Sequence, residues 1–534
     1  MKLAELPDKS ILILGLGREG RSSWDYLRAA FPEKTLGLAD QLPREKLSQE
    51  IAERIAQDPR LRLHLGEGYL ASLPEYEVIV KSPGIPVALP AYREAVRTGM
   101  QITSHTALFF ANFPGIILGV TGTKGKSTTA ALLHSMLGRA AAGNFTFRRD
   151  REFRSGTPKR EILGESPSVW LAGNIGIPAL DLLSPTAVQT DIARARYPEG
   201  PSQAMRFSAR ALPETIPKNV CVYELSSHQL EGLRQSPHIA VLLNIVPEHL
   251  DYYESFEQYV AAKQNITRYQ TADDLLVYDA DYSLPSEIAS RSQAQTVACS
   301  LEKPPSKGCF LSGEWIVYRS AAGEQKVAAI GDVPLLGKFN LRNVLAAVAA
   351  SMLAGVPAGE IAQAIREFRP LEHRLERVGA YNGVTYYNDA IATVPEATIA
   401  ALDALDGMDA LDENALDGMA APGGDVETVL LGGTDRHLDF SQLAKRLIES
   451  AVKTLILFPP TGERIWQALC EQGPAQSSRP QHFFVESMEQ AIALAKRHTS
   501  QGKICLHSPA SPSVGLFRDF RERGEMFKRL VREP

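Results

Sequence analysis

With 534 residues the chain is too long for one hydrophobic core, and ordinary domain sizes point to about three domains. Its 44% hydrophobic and 22% charged residues are those of a globular protein, and a net charge of −5 excludes a general basic field for nucleic acid or an anionic membrane. The cysteines Cys221, Cys299, Cys309, Cys470 and Cys505 form no CxxC pair or Cys/His cluster, so a reduced, cytoplasmic setting is expected. The apolar run Ile11–Gly17 ends at Arg18 and Glu19 without a signal-peptidase pattern, and no segment reaches the roughly 20 apolar residues of a membrane span.

From Ser10 to Asp40 the order is an apolar strand (ILILGLG), a helix (RSSWDYLRAAF) and a strand (TLGLAD), the start of a parallel βαβ sheet. Gly15, Gly17 and Gly20, followed by Asp40 at the end of the next strand, have the spacing of a dinucleotide fingerprint. The same turn can hold any diphosphate, or serve only as a packing turn.

A second unit starts at Gly115, where GIILGVTGTKGKSTTAALLHSMLG reads as strand, glycine-rich turn and helix. Gly122, Thr123, Lys124, Gly125, Lys126, Ser127 and Thr128 form a turn that aims backbone N–H groups and a helix start at a phosphate. Lys126 can reach β/γ oxygens and Ser127 can ligate Mg2+, which predicts ATP-type nucleotide binding. The strict pattern fails at one position, where Val120 replaces its first glycine.

Further along, Glu224 ends an apolar strand (VCVYEL), and His249 with Asp251 follows another (IAVLLNIV). Groups at the carboxyl ends of parallel strands converge on the phosphate crevice. Mg2+ prefers oxygen, so Glu224 fits it directly, while His249 reads either as a ligand or as a structural histidine. Lys263, in the helical stretch YVAAKQNI, is by default a solvated surface lysine.

Strands TVLLGG, TLILF and KICLHSP then alternate with helices such as Leu341–Leu353 and Met488–Lys496, so the whole chain reads as α/β layers. Pro114 and Pro370 interrupt the pattern and place three domains at 1–113, 114–369 and 370–534. Stretches near 139–168, 184–218 and 404–424 read as inserted surface loops without assigned chemistry.

The blocks GLGREG, KSPGIP, TGTKGKST, GNIGIPAL, ELSSHQLE, EHLD, AAKQNI, GKFNLRN, HRLERV, YNDAIAT, LLGGTDRHLDFS and SPASPSVGLFRDFRERGEMF run in one order along the chain. In this the sequence resembles the Mur ligase family. The resemblance implies a Rossmann-like N-terminal domain, a central P-loop-type ATP domain and a Rossmann-like C-terminal domain. It also implies a monomeric, cytoplasmic, ATP-dependent ligase of peptidoglycan precursor synthesis that joins glutamate to UDP-N-acetylmuramoyl-L-alanine through an acyl phosphate.

By position, the resemblance implies that Arg18, Glu19, Asp40, Ser82, Gly84, Asn174, Ser226 and Gln229 serve the uridine nucleotide. The ATP site would add Asn340, Asn343, His373, Arg374, Asn388 and Asp389 to the glycine-rich turn. Ser127, Glu224, His249 and Lys263 would hold two Mg2+ ions, with Lys263 carbamylated and Lys126, His249 and Lys263 catalytic. Thr393, Arg436, Ser513 and Phe520 would meet the incoming amino acid. The sequence departs from the family pattern at Phe339, Ile391, Arg436 and Gly515. The acceptor therefore stays open between D-glutamate, the family default, and L-glutamate or another amino acid. An NAD-dependent dehydrogenase and a non-catalytic nucleotide switch are the readings outside the family.

Overall fold

Three groups of apolar strands form three sheets in the computed structural model, which describes residues 1–142, 168–183, 219–249, 252–406, 425–472, 479–513 and 515–533. The stretch 184–218, most of 139–168 and 404–424, and Asp251 lie outside the described residues.

The first sheet contains β1 (Ile11–Leu14), β2 (Leu36–Asp40), β3 (Leu61–Leu65), β4 (Val78–Lys81) and β5 (Gln101–Ser104). They are parallel throughout, in the order β3-β2-β1-β4-β5. Every residue of β1 and β4 is buried, as expected for a parallel sheet covered on both faces. The order reverses between β1 and β4, so the turns after Leu14 and Lys81 open one crevice.

The second sheet contains β6 (Ile116–Thr121), β7 (Ser168–Gly173), β8 (Asn219–Glu224), β9 (Ile239–Leu242), β10 (Leu275–Asp279), β11 (Gln295–Ser300), β12 (Gly308–Ser312), β13 (Trp315–Ser320) and β14 (Gly323–Ala329). Their order is β14-β13-β12-β11-β10-β9-β6-β8-β7, with β7 through β12 parallel. Because β6 lies between β8 and β9, the reversal falls on β6; Val120 pairs with Glu224 and Thr121 with Leu242. Three strand ends thus meet at one edge.

The third sheet contains β15 (Glu376–Tyr381), β16 (Val384–Asn388), β17 (Val426–Gly432), β18 (Thr454–Phe458), β19 (Gln481–Phe484) and β20 (Ile504–His507), in the order β15-β16-β20-β17-β18-β19. Only the β15–β16 pair is antiparallel. Its turn is Asn382-Gly383, both left-handed at φ 52° and 80°, the two-residue hairpin chemistry that suits the strands' twist. β17 is buried along its length, including Glu427, whose carboxylate accepts from Lys453 Nζ at 2.9 Å and Ser500 N at 2.5 Å. Those bonds offset the cost of burying a carboxylate.

Helix starts are written locally. Ser104, Ser255 and Asp519 accept hydrogen bonds from first-turn N–H groups of His105–Asn112, Phe256–Arg268 and Phe520–Arg532. Each fully buried Leu, Ile or Val side chain in the layers contributes roughly 1.5–3 kcal/mol.

The chain forms two compact units, one of Met1–Phe310, Val317–Val327 and Asn343–Ala364, the other of Leu311–Ile316, Ala328–Arg342 and Ile365–Pro534. In the first, one continuous core joins Ile13 and Leu38 of the first sheet to Tyr223 and Leu242 of the second. In the other, separate clusters around Leu431 and Leu430 cover the two faces of the third sheet. Among the described residues no helix is long and apolar enough to cross a membrane.

Candidate active site

β6 ends at Thr121 and the chain turns through Gly122 to Gly125 into the helix Lys126–Ala142. Val120 is still inside the strand, opposite Glu224, so the phosphate-type turn begins only at Gly122 and needs no glycine at 120. Gly125 is left-handed at φ 86°, and a Cβ there would lie 2.1 Å from Asn343 Oδ1. No other residue fits that point without a shift. The turn is pinned from outside: Thr123 N donates to Asn244 O at 2.7 Å, and Lys124 N to Asn244 Oδ1 at 3.0 Å. Lys126 Nζ folds back to donate to Gly122 O (3.0 Å) and Thr123 O (2.7 Å), while Ser127 is half-buried beside it.

The neighbouring strand ends supply the other groups. Glu224, at the end of β8, is fully buried; Oε1 accepts from Asn174 Nδ2 at 3.1 Å and Oε2 has no hydrogen-bond partner. An unsatisfied buried carboxylate oxygen is costly, and a cation beside the phosphate turn would relieve it. Thr128, 1% exposed, likewise leaves Oγ1 unpartnered. Lys263 is not on the surface: it is 1% exposed and donates to Gly122 O at 2.7 Å. Burial and the Lys126 charge push its ammonium well below the usual lysine range, against the opposing pull of Glu248 and Glu224.

His249, in the segment after β9, has φ 58°, an uncommon conformation for a residue with a side chain. Its Nε2 lies 3.9 Å from Glu248 Oε2. Glu248 pairs with Lys124 at 2.5 Å; burial would raise its pKa, but Lys124, Lys126 and His249 hold it below the carboxylate range. A cavity of about 310 Å3 gathers Gly84, Lys126, Asn174, Ser226, His249 and Lys263. Glu248, His228 and Tyr259 also line it and were not among the expected site residues. Glu248 could have been found from its place beside His249 after β9; His228 and Tyr259 give no local signal.

In the first sheet's crevice, Ser82 Oγ donates to Gly15 O at 3.0 Å, and a Cβ on Gly20 would lie 1.8 Å from that same oxygen. Asp40 accepts from Leu16 N (2.6 Å) and Leu42 N (2.9 Å), so its carboxylate fastens the glycine turn. Arg18 donates to carbonyls of the turn at 173–176. Glu19 is buried and accepts from Gln229 Nε2 at 2.5 Å. Burial pushes the Glu19 carboxyl up to about 7, and burial with the Arg18 charge pushes neighbouring His105 down to about 3.

The expected residues of the C-terminal part gather at the ends of β16 and β20. His373, left-handed at φ 64°, meets Asn388 Nδ2 at 2.9 Å through Nδ1, and its ring lies edge-on to Phe520 at 5.9 Å. Asp389 accepts from Leu375 N (3.0 Å) and Ser508 Oγ (2.8 Å); burial raises its carboxyl to about 6 against those bonds. Arg374 and Thr393 are half-buried nearby in sequence, and Ser513 is buried. Arg436 is exposed on the segment after β17. Asn340 is buried and donates to Leu336 O at 2.7 Å, whereas Asn343 packs on Gly125 in the first unit. These two helix neighbours thus fall in different units.

A phosphate turn at a sheet's reversal point, with a carboxylate and a buried lysine beside it in a chain of three α/β sheets, defines an enzyme class that acts through a nucleoside triphosphate. Family models agree along the chain: the Mur ligase MurD-like N-terminal domain matches residues 9–104, the Mur ligase middle domain 208–351, and the Mur ligase glutamate ligase domain 373–511. The UDP-N-acetylmuramoylalanine--D-glutamate ligase of Symbiobacterium thermophilum is 32% identical over 97% of both chains. That of Acetivibrio thermocellus is 29% identical over 99% of this chain and 97% of its own. Among solved structures, MurF from Acinetobacter baumannii shares the fold with a TM-score of 0.53 at 16% identity, covering 98% of this chain and 93% of its own. The chain belongs to the Mur ligase family.

Proposed function

We propose that the chain is a cytoplasmic ligase that joins D-glutamate to UDP-N-acetylmuramoyl-L-alanine at the expense of ATP, supplying peptidoglycan precursors. The observation that carries this is the convergence of Lys126, the half-satisfied Glu224 carboxylate and buried Lys263 on one phosphate turn. The relatives' names supply the substrates. The monomer is taken as the acting unit, with domains at 1–113, 114–369 and 370–534.

In this reading the substrate carboxylate attacks the γ-phosphorus of ATP, ADP leaves, and an acyl phosphate forms. The glutamate amine then attacks the carbonyl carbon; phosphate leaves with the C–O bond electrons and the amine gives up a proton. Lys126 exchanges its two carbonyl partners for phosphate oxygens, and the first N–H groups of its helix hold the same charge. Ser127, Glu224, His249 and a carbamylated Lys263 are the groups that would hold Mg2+, which when bound neutralises the charge on the transferring phosphoryl group. Carbamylation needs a neutral amine: the ammonium first gives up one proton to solvent, Nζ then bonds to CO2 with loss of a second proton, and the resulting carbamate anion offers oxygen ligands.

Arg18, Glu19, Asp40, Ser82, Gly84, Asn174, Ser226 and Gln229 are assigned to the uridine nucleotide side. Asn340, Asn343, His373, Arg374, Asn388 and Asp389 are assigned to ATP, and Thr393, Arg436, Ser513 and Phe520 to glutamate. Ile391, Arg436 and Gly515, which depart from the family pattern in one domain, keep L-glutamate as a second reading. Phosphate release measured with UDP-N-acetylmuramoyl-L-alanine, ATP and each glutamate enantiomer tests both. Turnover with D-glutamate supports the first; a preference for L-glutamate supports the second, and release with neither refutes the assignment.

A further inference from the structure

Arg18 and Glu19 leave the first sheet's glycine turn side by side, and each grips a different segment next to Glu224. Arg18 Nη2 donates to the carbonyls of Gly173 and, at 3.3 Å, Asn174, and its Nη1 to Gly176 O at 3.4 Å. Those three carbonyls lie at the last residue of β7 and in the turn that follows it. The same turn is fixed to β8 by Asn174 N donating to Glu224 O at 3.1 Å, and it carries the Asn174 amide that holds Glu224 Oε1.

On the other side, Glu19 Oε1 accepts from Gln229 Nε2. Gln229 closes the short helical turn that begins just after Glu224: its Oε1 accepts from Ser226 N at 2.8 Å, and its N–H donates to Ser226 Oγ at 3.2 Å. The segment beside Glu224 at the end of β7 and the chain just after Glu224 are therefore both held from the N-terminal glycine turn.

A carboxylate on a strand end has rotamer freedom that a metal ligand must lose on binding, and neighbouring hydrogen bonds remove that freedom in advance. We propose that Arg18 is a positioning residue of the central site: by holding the turn at 173–176 it fixes Asn174, and through it the Glu224 carboxylate, with Oε2 left for a divalent cation. This rests on the reading of Glu224 as a metal ligand. The Arg18 hydrogen bonds go to the carbonyls of residues 173, 174 and 176, so its link to the Glu224 carboxylate runs through that segment and the Asn174 amide it carries. A planar guanidinium can reach three carbonyls at once where an ammonium offers a point charge, so lysine substitutes only in part.

The test uses the full chain and Mn2+ in the presence of ADP, with free Mn2+ followed by electron paramagnetic resonance. Glu224→Gln should abolish the tight Mn2+ site; if it does not, the metal reading itself fails, whatever Arg18 does. With that reading intact, Arg18→Met should raise the Mn2+ dissociation constant by about tenfold, the low end of the range for supporting residues of metal ligands. Arg18→Lys should recover part of the loss. Asn174→Ala should weaken Mn2+ similarly, and adding Arg18→Met to it should cause no further loss, because both act along one path. Unchanged Mn2+ affinity in Arg18→Met, or additive losses in the double variant, would overturn the proposal. Unfolding curves of each variant separate this from loss of fold, since a merely structural role would lower stability without the non-additivity.

Discussion

Lys263 Nζ donates a 2.7 Å hydrogen bond to the carbonyl of Gly122, tying a buried amine to the first residue of the phosphate turn. Burial and the nearby Lys126 ammonium favour its neutral form, the form that can take up CO2. Lys263→Ala is expected to lose turnover, with short carboxylic acids restoring part of it. Wild-type enzyme assayed at low pH should gain activity with added bicarbonate, and 13CO2 should give a carbamate NMR signal absent from the variant. Normal turnover in Lys263→Ala would end this assignment.

Gly125 sits at φ 86° with Asn343 Oδ1 in the space a side chain would need. A left-handed alanine costs about 1–2 kcal/mol before any clash, and the clash must displace either the turn or Asn343. Gly125→Ala should lower the unfolding midpoint and weaken ATP by at least about tenfold, since the turn's N–H groups lose their aim. Calorimetric titration checks it; wild-type affinity would mean that the turn tolerates a Cβ.

Glu19 provides a pH-dependent term. Its carboxyl is raised from 4.5 to about 7, so between these values the unfolded chain releases a proton that the folded chain keeps. Stability from this group is therefore full below pH 4.5, falls as pH rises toward 7, and is flat above; the loss is roughly 3 kcal/mol at most. Glu19→Gln should remove this decline. Urea unfolding of both proteins at pH 5 and pH 8 measures it, and an identical pH dependence in the two would refute it.

Arg436 stands on a segment whose geometry is fixed next door: Asp435 Oδ1 accepts from Arg464 Nη1 at 2.5 Å and from His437 N at 2.7 Å. A guanidinium exposed on that fixed segment suits a two-pronged grip on a carboxylate. Arg436→Ala should raise KM for glutamate by at least about tenfold while moving KM for ATP far less, as loss of a charge-assisted pair implies. Equal changes in both constants would place Arg436 elsewhere.

The sequence by itself determined the local units. ILILGLG and GIILGVTG alternate with helix patterns, and residues 122–128 mark a phosphate turn because those features depend on neighbours a few positions apart. The Asn382-Gly383 hairpin was equally local, and readable from its two turn residues. Tertiary structure alone decided the rest. Helix periodicity leaves Lys263 as a solvated lysine, and only the packing of Phe256–Arg268 against the phosphate turn buries it on Gly122, 141 positions away. Likewise Gly15, Gly17 and Gly20 describe a crevice but give no direction for Arg18 and Glu19, which reach segments 155 and 210 positions distant. Strand order sets such meetings, and strand order depends on which buried faces pack best across the whole chain, a quantity that no short window of residues contains.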